Sequence, residues 1–526
     1  MAESRVKGRR AGALVPLFSI PSSDSWGIGE IADLPVFARW LHDAGLSVVQ
    51  LLPVNEMGDN QTSPYSALSA MAIDPIYIAL RDVPEFSAWG GEATLTDDEL
   101  DRLQAARAAS AVDYAAVRAL KTRALRGAFE SFVEQEWPRD TERAQSRRAY
   151  IEREGWWLDD YAVFRALHAE NEGQHWSEWE VSVRDRTPEG LTAARGRLER
   201  EILYYMWLQM VADEQWERAR DECDALGVAV LGDFPFMVSG DSADVWSRQN
   251  EFRIDASVGV PPDAFSETGQ DWGLPVYRWD VLATNDYAWL QMRARRCAEL
   301  YDGFRLDHLI GFYRTFVREK NGETYFVPAE EPLQLAQGER LMALFRKSGA
   351  FIIAEDLGVV PDFVRESLAK MALPGMKVMR WEREWEIEGH PFKDPVTYPR
   401  VSVAISGTHD TESMAEWWDK AEGPEREAVI ELAPLVEAAV QTDETYSPRL
   451  RDALLTALYN SGSDLLLMPV QDIFGWADRI NTPAVVSEEN WSWRLPWPVD
   501  QMRDEREARE RAEFLAQLSR DSHRSS

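Results

Sequence analysis

Three short pieces of this chain each end in, or contain, an acid: Gly303-Phe304-Arg305-Leu306-Asp307-His308, Ile352-Ile353-Ala354-Glu355-Asp356-Leu357-Gly358 and Ser406-Gly407-Thr408-His409-Asp410. Each contains or follows a short apolar run of the kind that forms a buried strand. Asp307, Glu355 and Asp410 are 48 and 55 residues apart, roughly one or two strand–helix units. A parallel barrel would gather all three carboxylates on one rim. Two carboxylates flanking a sugar bond, with a third supporting a cationic transition state, can cleave a glycosidic bond.

The contexts of the acids suggest a division of labour. Retaining cleavage needs an ionised nucleophile and a protonated general acid about 5–5.5 Å apart. Arg305 stands two residues before Asp307, on the same side of a strand, and its guanidinium should favour the Asp307 carboxylate. Glu355 follows the apolar run Phe351 to Ala354, and partial burial should keep it protonated. Asp356 would point the opposite way and play a structural part. Asp410 follows His409, and such a pair can grip sugar hydroxyls. Neither His308 nor His409 has metal-ligand spacing to another His or Cys, so no metal is expected.

A barrel must position these groups. Ser47 to Pro53 reads as a buried strand, preceded by a helix over Pro35 to Ala44 that Gly45 stops. Val228 to Asp233 is another strand, and Leu465 to Pro469 a late one. Between them, Val117, Leu120, Ala124, Ala128 and Phe132 keep helical spacing, as do Leu198, Ile202, Tyr205, Leu208 and Ala212. The expected fold is therefore α/β. It is a single (β/α)8 TIM-type barrel unit over residues 1–526, with a large, mainly helical insertion over 85–225 and loop insertions at the active site. Residues 500–526 read as a charged helix and a disordered tail, with no C-terminal β-sandwich.

Composition removes several alternatives. A net charge of −33 repels phosphate backbones and anionic membranes, so neither nucleic acid nor membrane is an expected partner. Two cysteines in 526 residues make no disulfide framework. No apolar run approaches the length of a membrane span, and Ala11 to Ile20 lacks a signal cleavage site, so a cytoplasmic location is expected. The 22 tryptophans suit sugar stacking, although most must serve packing. Neither a Gly-x-Gly-x-x-Gly motif nor a P-loop is present.

The acid pieces resemble those of the 4-α-glucanotransferases called amylomaltases or disproportionating enzymes, glycoside hydrolase family 77 of the α-amylase superfamily. The resemblance spans about residues 12 to 498. Trp26-Gly27-Ile28-Gly29-Glu30 is similar to the family's opening turn, and Ser63-Pro64-Tyr65-Ser66 to its next loop. Gly232-Asp233-Phe234-Pro235, Asp241 to Trp246, the long Gly259 to Gly273 loop and Arg479-Ile480-Asn481-Thr482-Pro483 continue the match. The resemblance implies that Asp307 is the nucleophile, Glu355 the acid/base and Asp410 the transition-state stabiliser. It also implies that Arg305 supports the nucleophile and that Tyr65, Asp233, His409 and Asn481 line the donor sites. Phe265 and Trp272 would belong to a loop covering the acceptor side. Thr411 stands where the family usually has Asn, Ala264 where it has an aromatic, and Ile73-Asp74-Pro75 where it has Gly-Asn-Pro.

The expected activity is transfer of α-1,4-glucan segments to the 4-hydroxyl of an acceptor, by retaining double displacement on maltooligosaccharides and without a cofactor. The alternatives are an α-1,4-glucan hydrolase with the same acids and a non-catalytic glucan-binding protein. The oligomeric state is not legible in the sequence.

Overall fold

The computed structural model describes residues 6–58, 60–262, 269–483 and 485–524. Twelve strands are assigned among them. In chain order they are β1 (Arg10–Leu14), β2 (Val48–Gln50), β3 (Ala229–Phe234), β4 (Phe252–Val260), β5 (Gln270–Tyr277), β6 (Gly303–Leu306), β7 (Thr315–Glu319), β8 (Thr324–Val327), β9 (Phe351–Ala354), β10 (Gly375–Val378), β11 (Ser402–Ile405) and β12 (Leu465–Pro469). Eight of them close into a parallel barrel in the order β1-β12-β11-β10-β9-β6-β3-β2.

Alternate residues of these strands point inward. Val48, Leu231, Ile353, Met376, Val378, Val403, Ile405, Leu465 and Leu467 fill the barrel as one buried cluster. Gly12 on β1 leaves room for this packing, since a Cβ there would meet the Val48 carbonyl oxygen at 2.4 Å. The interior is thus a packed core, and chemistry is confined to the strand ends.

Between β2 and β3 the chain is helical: Asp97–Ala108, Tyr114–Gln135, Glu142–Glu170, Pro188–Arg197 and Glu199–Ala225. Thr96, Asp113, Thr141 and Thr187 each cap the helix that follows by accepting a backbone N–H. These helices are bonded to the barrel side. Gln209 both donates to and accepts from the Ile73 backbone, and Gln215 does the same at Ala79. The buried Lys121 ammonium donates to Ile76 O and Ile78 O.

Two features differ from the sequence reading. Strands β4, β5, β7 and β8 make a separate antiparallel sheet in the order β5-β4-β7-β8. Polar Arg253, Asp255 and Ser257 interrupt its apolar pattern and hide it. The charged tail is also ordered through Arg524. Helix Arg506–Asp521 delivers this residue to a fully buried position, where its guanidinium donates to Tyr459 O, Ser461 O and Ser463 O. Carbonyls left over at the bottom of the barrel need a donor, and this arginine supplies it.

Candidate active site

The parallel register puts the chemistry in one place. Asp233 on β3 pairs with Arg305 on β6, and Arg305 pairs with Ile353 on β9. Side chains two residues on keep the same inward direction, so Asp307 and Glu355 emerge beside each other above this layer. They directly follow the register partners Leu306 and Ala354. Adjacent strands lie about 4.8 Å apart, so the two carboxylates leave neighbouring strand tips, close enough that Asp307 raises the pKa of Glu355.

Arg305 is the hub. Its Nε donates to Asp233 Oδ1 at 3.0 Å and its Nη2 to Asp233 Oδ2 at 2.6 Å. The same Nη2 reaches Asp307 Oδ1 at 2.9 Å and Tyr65 Oη at 3.1 Å, while Nη1 lies 3.7 Å from Glu355 Oε2. Tyr65 donates to Asp233 Oδ2 at 2.6 Å. The Asp233 side chain has no exposed surface. It holds Arg305 on the neighbouring strand and Tyr65 in the loop after β2, and presents no exposed surface of its own to a sugar.

Arg305 does touch Asp307, but burial outweighs it. Burial pushes the Asp307 carboxyl up to about 6 despite Arg305, with Asp233 adding to the rise. Burial raises Glu355 further, to about 8, against the pull of Arg305 and with repulsion from Asp307. Glu355 Oε2 also accepts the His308 backbone N–H. His308 adopts φ of +42°, a strained conformation for a non-glycine residue and the kind that collects at functional sites. Its ring meets Trp272 edge-on at 4.8 Å and Phe236 at 5.6 Å, and burial lowers its pKa to about 4.

Asp410 follows β11 across the rim. Asn481 Nδ2 donates to its Oδ1 at 2.6 Å, and His409 Nε2 lies 3.3 Å from its Oδ2. Burial alone would raise this carboxyl; His409 and the Asn481 hydrogen bond reverse that and hold it below the ordinary range. His409 stacks on Tyr65 at 5.2 Å and 19°. Trp491, which sequence reasoning missed, packs against both rings at 5.7 and 5.8 Å. Arg479, quoted only as part of a motif, donates to Asp410 O at 3.0 Å.

Asp356 points away, as its place after Glu355 requires, and accepts the Met376 N–H at 2.7 Å, joining β9 to β10. Thr411 accepts the Thr408 N–H at 2.9 Å and closes a local turn. Trp272 lies on β5, whose hairpin with β4 is paired up to Val260 and Gln270. Ala264 and Phe265 lie outside the described residues. Among the described residues no group of three or more His, Cys, Asp or Glu side chains could hold a metal ion.

A closed parallel barrel with acids on adjacent strand tips and a third acid across the rim defines a TIM-barrel enzyme of glycosidic-bond chemistry. The family is more specific than this class. A family model described as 4-alpha-glucanotransferase, glycoside hydrolase family 77, matches residues 15–500, and the chain belongs to that family. It is 33% identical over 512 residues to the 4-alpha-glucanotransferase of Thermus thermophilus, covering 93% of this chain and 95% of that one. It is 31% identical over 497 residues to that of Chlamydia pneumoniae, covering 92% and 91%. The fold superposes on the amylomaltase from Streptococcus agalactiae in complex with acarbose with a TM-score of 0.80 at 25% identity, covering 98% of this chain and 100% of that one. The chain is a 4-alpha-glucanotransferase, and none of these relatives supports the hydrolase alternative.

Proposed function

We propose that this enzyme disproportionates maltooligosaccharides by retaining double displacement, with Asp307 as nucleophile, Glu355 as acid/base and Asp410 as stabiliser. The observation that carries the assignment is the single Arg305 guanidinium set against both Asp307 and Glu355. At neutral pH the Asp307 carboxyl is ionised and that of Glu355 protonated, the states each role requires.

Glu355 gives its proton to the glycosidic oxygen as the C1–O bond breaks, and an Asp307 oxygen bonds C1 from the opposite face. The leaving glucan departs with the proton. The Glu355 carboxylate then takes the proton of an acceptor 4-hydroxyl, whose oxygen displaces Asp307 from C1. Two inversions restore the α configuration and return both acids to their starting states. Asp410, kept ionised, supports positive charge on the flattened ring. Tyr65, His409 and Asn481 line the donor side. The β4–β5 hairpin, with Trp272 beside His308, covers the acceptor side and favours sugar over water.

The domain reading is one catalytic barrel unit carrying residues 85–225 as a mainly helical insertion and 500–526 as a charged C-terminal helix and tail. A cytoplasmic location is supported by Cys223 and Cys297, both free thiols. The −33 charge favours neutral glucans over nucleic acid or anionic lipid as partners.

The test is incubation with maltotriose and separation of the products. Glucose plus a ladder of longer oligosaccharides, at nearly constant reducing ends, is expected. Rising reducing ends without longer products would refute transfer.

A further inference from the structure

Asp410 sits on a turn that is tied down from strands other than its own. The residues between β11 and helix Met414–Lys420 form this turn, which also carries His409. Its internal bonds are short-range: Thr411 Oγ1 accepts the Thr408 N–H at 2.9 Å, and Thr408 Oγ1 accepts the Asp410 N–H at 3.2 Å. Such bonds shape a turn, but its direction over the barrel mouth must be set from outside.

Asp472 and Arg380 set it. Asp472 is buried on helix Val470–Phe474, directly after β12. Its Oδ2 accepts the Ser406 hydroxyl and its Oδ1 the Met414 N–H at 2.6 Å. A carboxylate carries two acceptor oxygens in one plane, so a single side chain holds both ends of the turn. Arg380 is buried just after β10 and works from the opposite side. Its Nη2 donates to Ser406 O at 3.2 Å and to Glu412 O at 2.7 Å, and its Nη1 lies 2.9 Å from Glu412 Oε1. Gly407 lets these groups close in, because a Cβ there would meet Thr411 Oγ1 at 2.4 Å and Arg380 Nη2 at 3.2 Å. β10 and β12 are the two neighbours of β11, and each lends one charged side chain across the strand tips. Both bind the turn at Ser406, Glu412 and Met414, and leave the Asp410 tip to Asn481 and Arg479.

We infer that Asp472 and Arg380 are positioning residues for the glucanotransferase reaction, which aim the Asp410 carboxylate by clamping both ends of its turn and bind no sugar themselves. The inference rests on the reading of Asp410 as transition-state stabiliser. A group that stabilises developing charge must be in place before that charge appears. Loss of aim weakens it more at the transition state than in the bound substrate, so the clamp bears on kcat and leaves KM nearly alone.

The test measures kcat and KM on maltotriose for Asp472→Ala, Asp472→Asn, Ser406→Ala and Asp410→Asn, and for each clamp variant placed in the Asp410→Asn background. Asp472→Ala is expected to lower kcat about 30-fold with KM within about twofold. Asp472→Asn keeps an acceptor for the Met414 N–H and should recover most of that loss. Ser406→Ala removes one anchor and should lower kcat about fivefold. In the Asp410→Asn background the clamp variants should change kcat by less than about twofold, because the group they aim is gone. The same proportional fall in both backgrounds, or a change carried by KM, would make the clamp a scaffold only and overturn the inference. If Asp472→Ala does not fold, Ser406→Ala and Asp472→Asn make the same comparison. The two readings fail differently: Asp410→Asn at the parent kcat would sink the stabiliser reading, whereas a slow Asp410→Asn beside clamp variants at the parent kcat would sink the clamp alone.

Discussion

Asp233 and Arg305 face each other on adjacent strands and share two hydrogen bonds, Nε to Oδ1 at 3.0 Å and Nη2 to Oδ2 at 2.6 Å. The pair is sealed from solvent, and Arg305 carries its charge on to the Asp307 and Glu355 carboxyls. Asp233 also raises the pKa of each of them. Asp233→Asn is therefore expected to shift both limbs of the pH–rate profile to lower pH, and to lower thermal stability by about 3 kcal/mol as a buried ion loses its partner. Limbs that stay in place would detach Asp233 from the site.

The parent enzyme should give a bell-shaped kcat/KM profile with limbs near pH 6 and pH 8, set by Asp307 and Glu355. Below the first limb Asp307 gains a proton and cannot attack; above the second Glu355 has lost the proton it must give. The two values belong to the pair, since each carboxylate disfavours ionisation of the other. Initial rates on maltotriose across pH 4.5 to 9.5 provide the check. A flat profile through pH 8 would remove Glu355 as the acid.

The same burial affects stability with a definite sign. Glu355 titrates higher folded than unfolded, so the folded state binds its proton more tightly. Stability is full below the usual carboxylate range and falls as pH rises towards about 8. Glu355→Gln removes that loss and still offers an acceptor to the His308 N–H. Its melting temperature should exceed the parent's at pH 8.5 and approach it at pH 4.5. A difference independent of pH would contradict the assignment.

Asn481→Ala removes the donor at 2.6 Å from Asp410. Asp410 stays ionised near neutrality because His409 remains beside it, so the pH limbs should not move. Its orientation loosens, and kcat should fall about 100-fold with little change in KM, as expected of an interaction that strengthens in the transition state. A change confined to KM would make Asn481 a simple binding residue.

Arg524→Ala tests the opposite end of the barrel. The guanidinium serves carbonyls at Tyr459, Ser461 and Ser463 and also those of Arg10 and Asp464. Its loss should cost about 3 kcal/mol, read by denaturant unfolding, with kcat on maltotriose at 25 °C unchanged.

The acids were legible because each follows a short apolar run, and the parallel register turns that local pattern into a shared rim. Asp233 was legible as an acid at a strand end, but its pairing with Arg305 was not. Its partner Arg305 lies 72 residues away, and only the β3–β6 pairing shows that it faces inward. β1 reads Arg-Ala-Gly-Ala-Leu, too small and mixed to announce a strand. β10 is four residues with a lysine, whose ammonium pairs with Glu382. Arg524 looked like part of a solvated tail because nothing in a charged run reveals that its last arginine meets unfilled carbonyls.

The barrel closes where β1 pairs with β12, Arg10 to Leu14 against Leu465 to Pro469. During synthesis the first strand waits, with one edge bare, while more than four hundred residues emerge from the ribosome. Closure of the ring is therefore an event of the finished chain. Any substitution that slows the arrival of β12 lengthens the time during which an open, sticky edge is available to other nascent chains. Yield in the cell would thus be governed at this seam and not at the rim where the carboxylates gather.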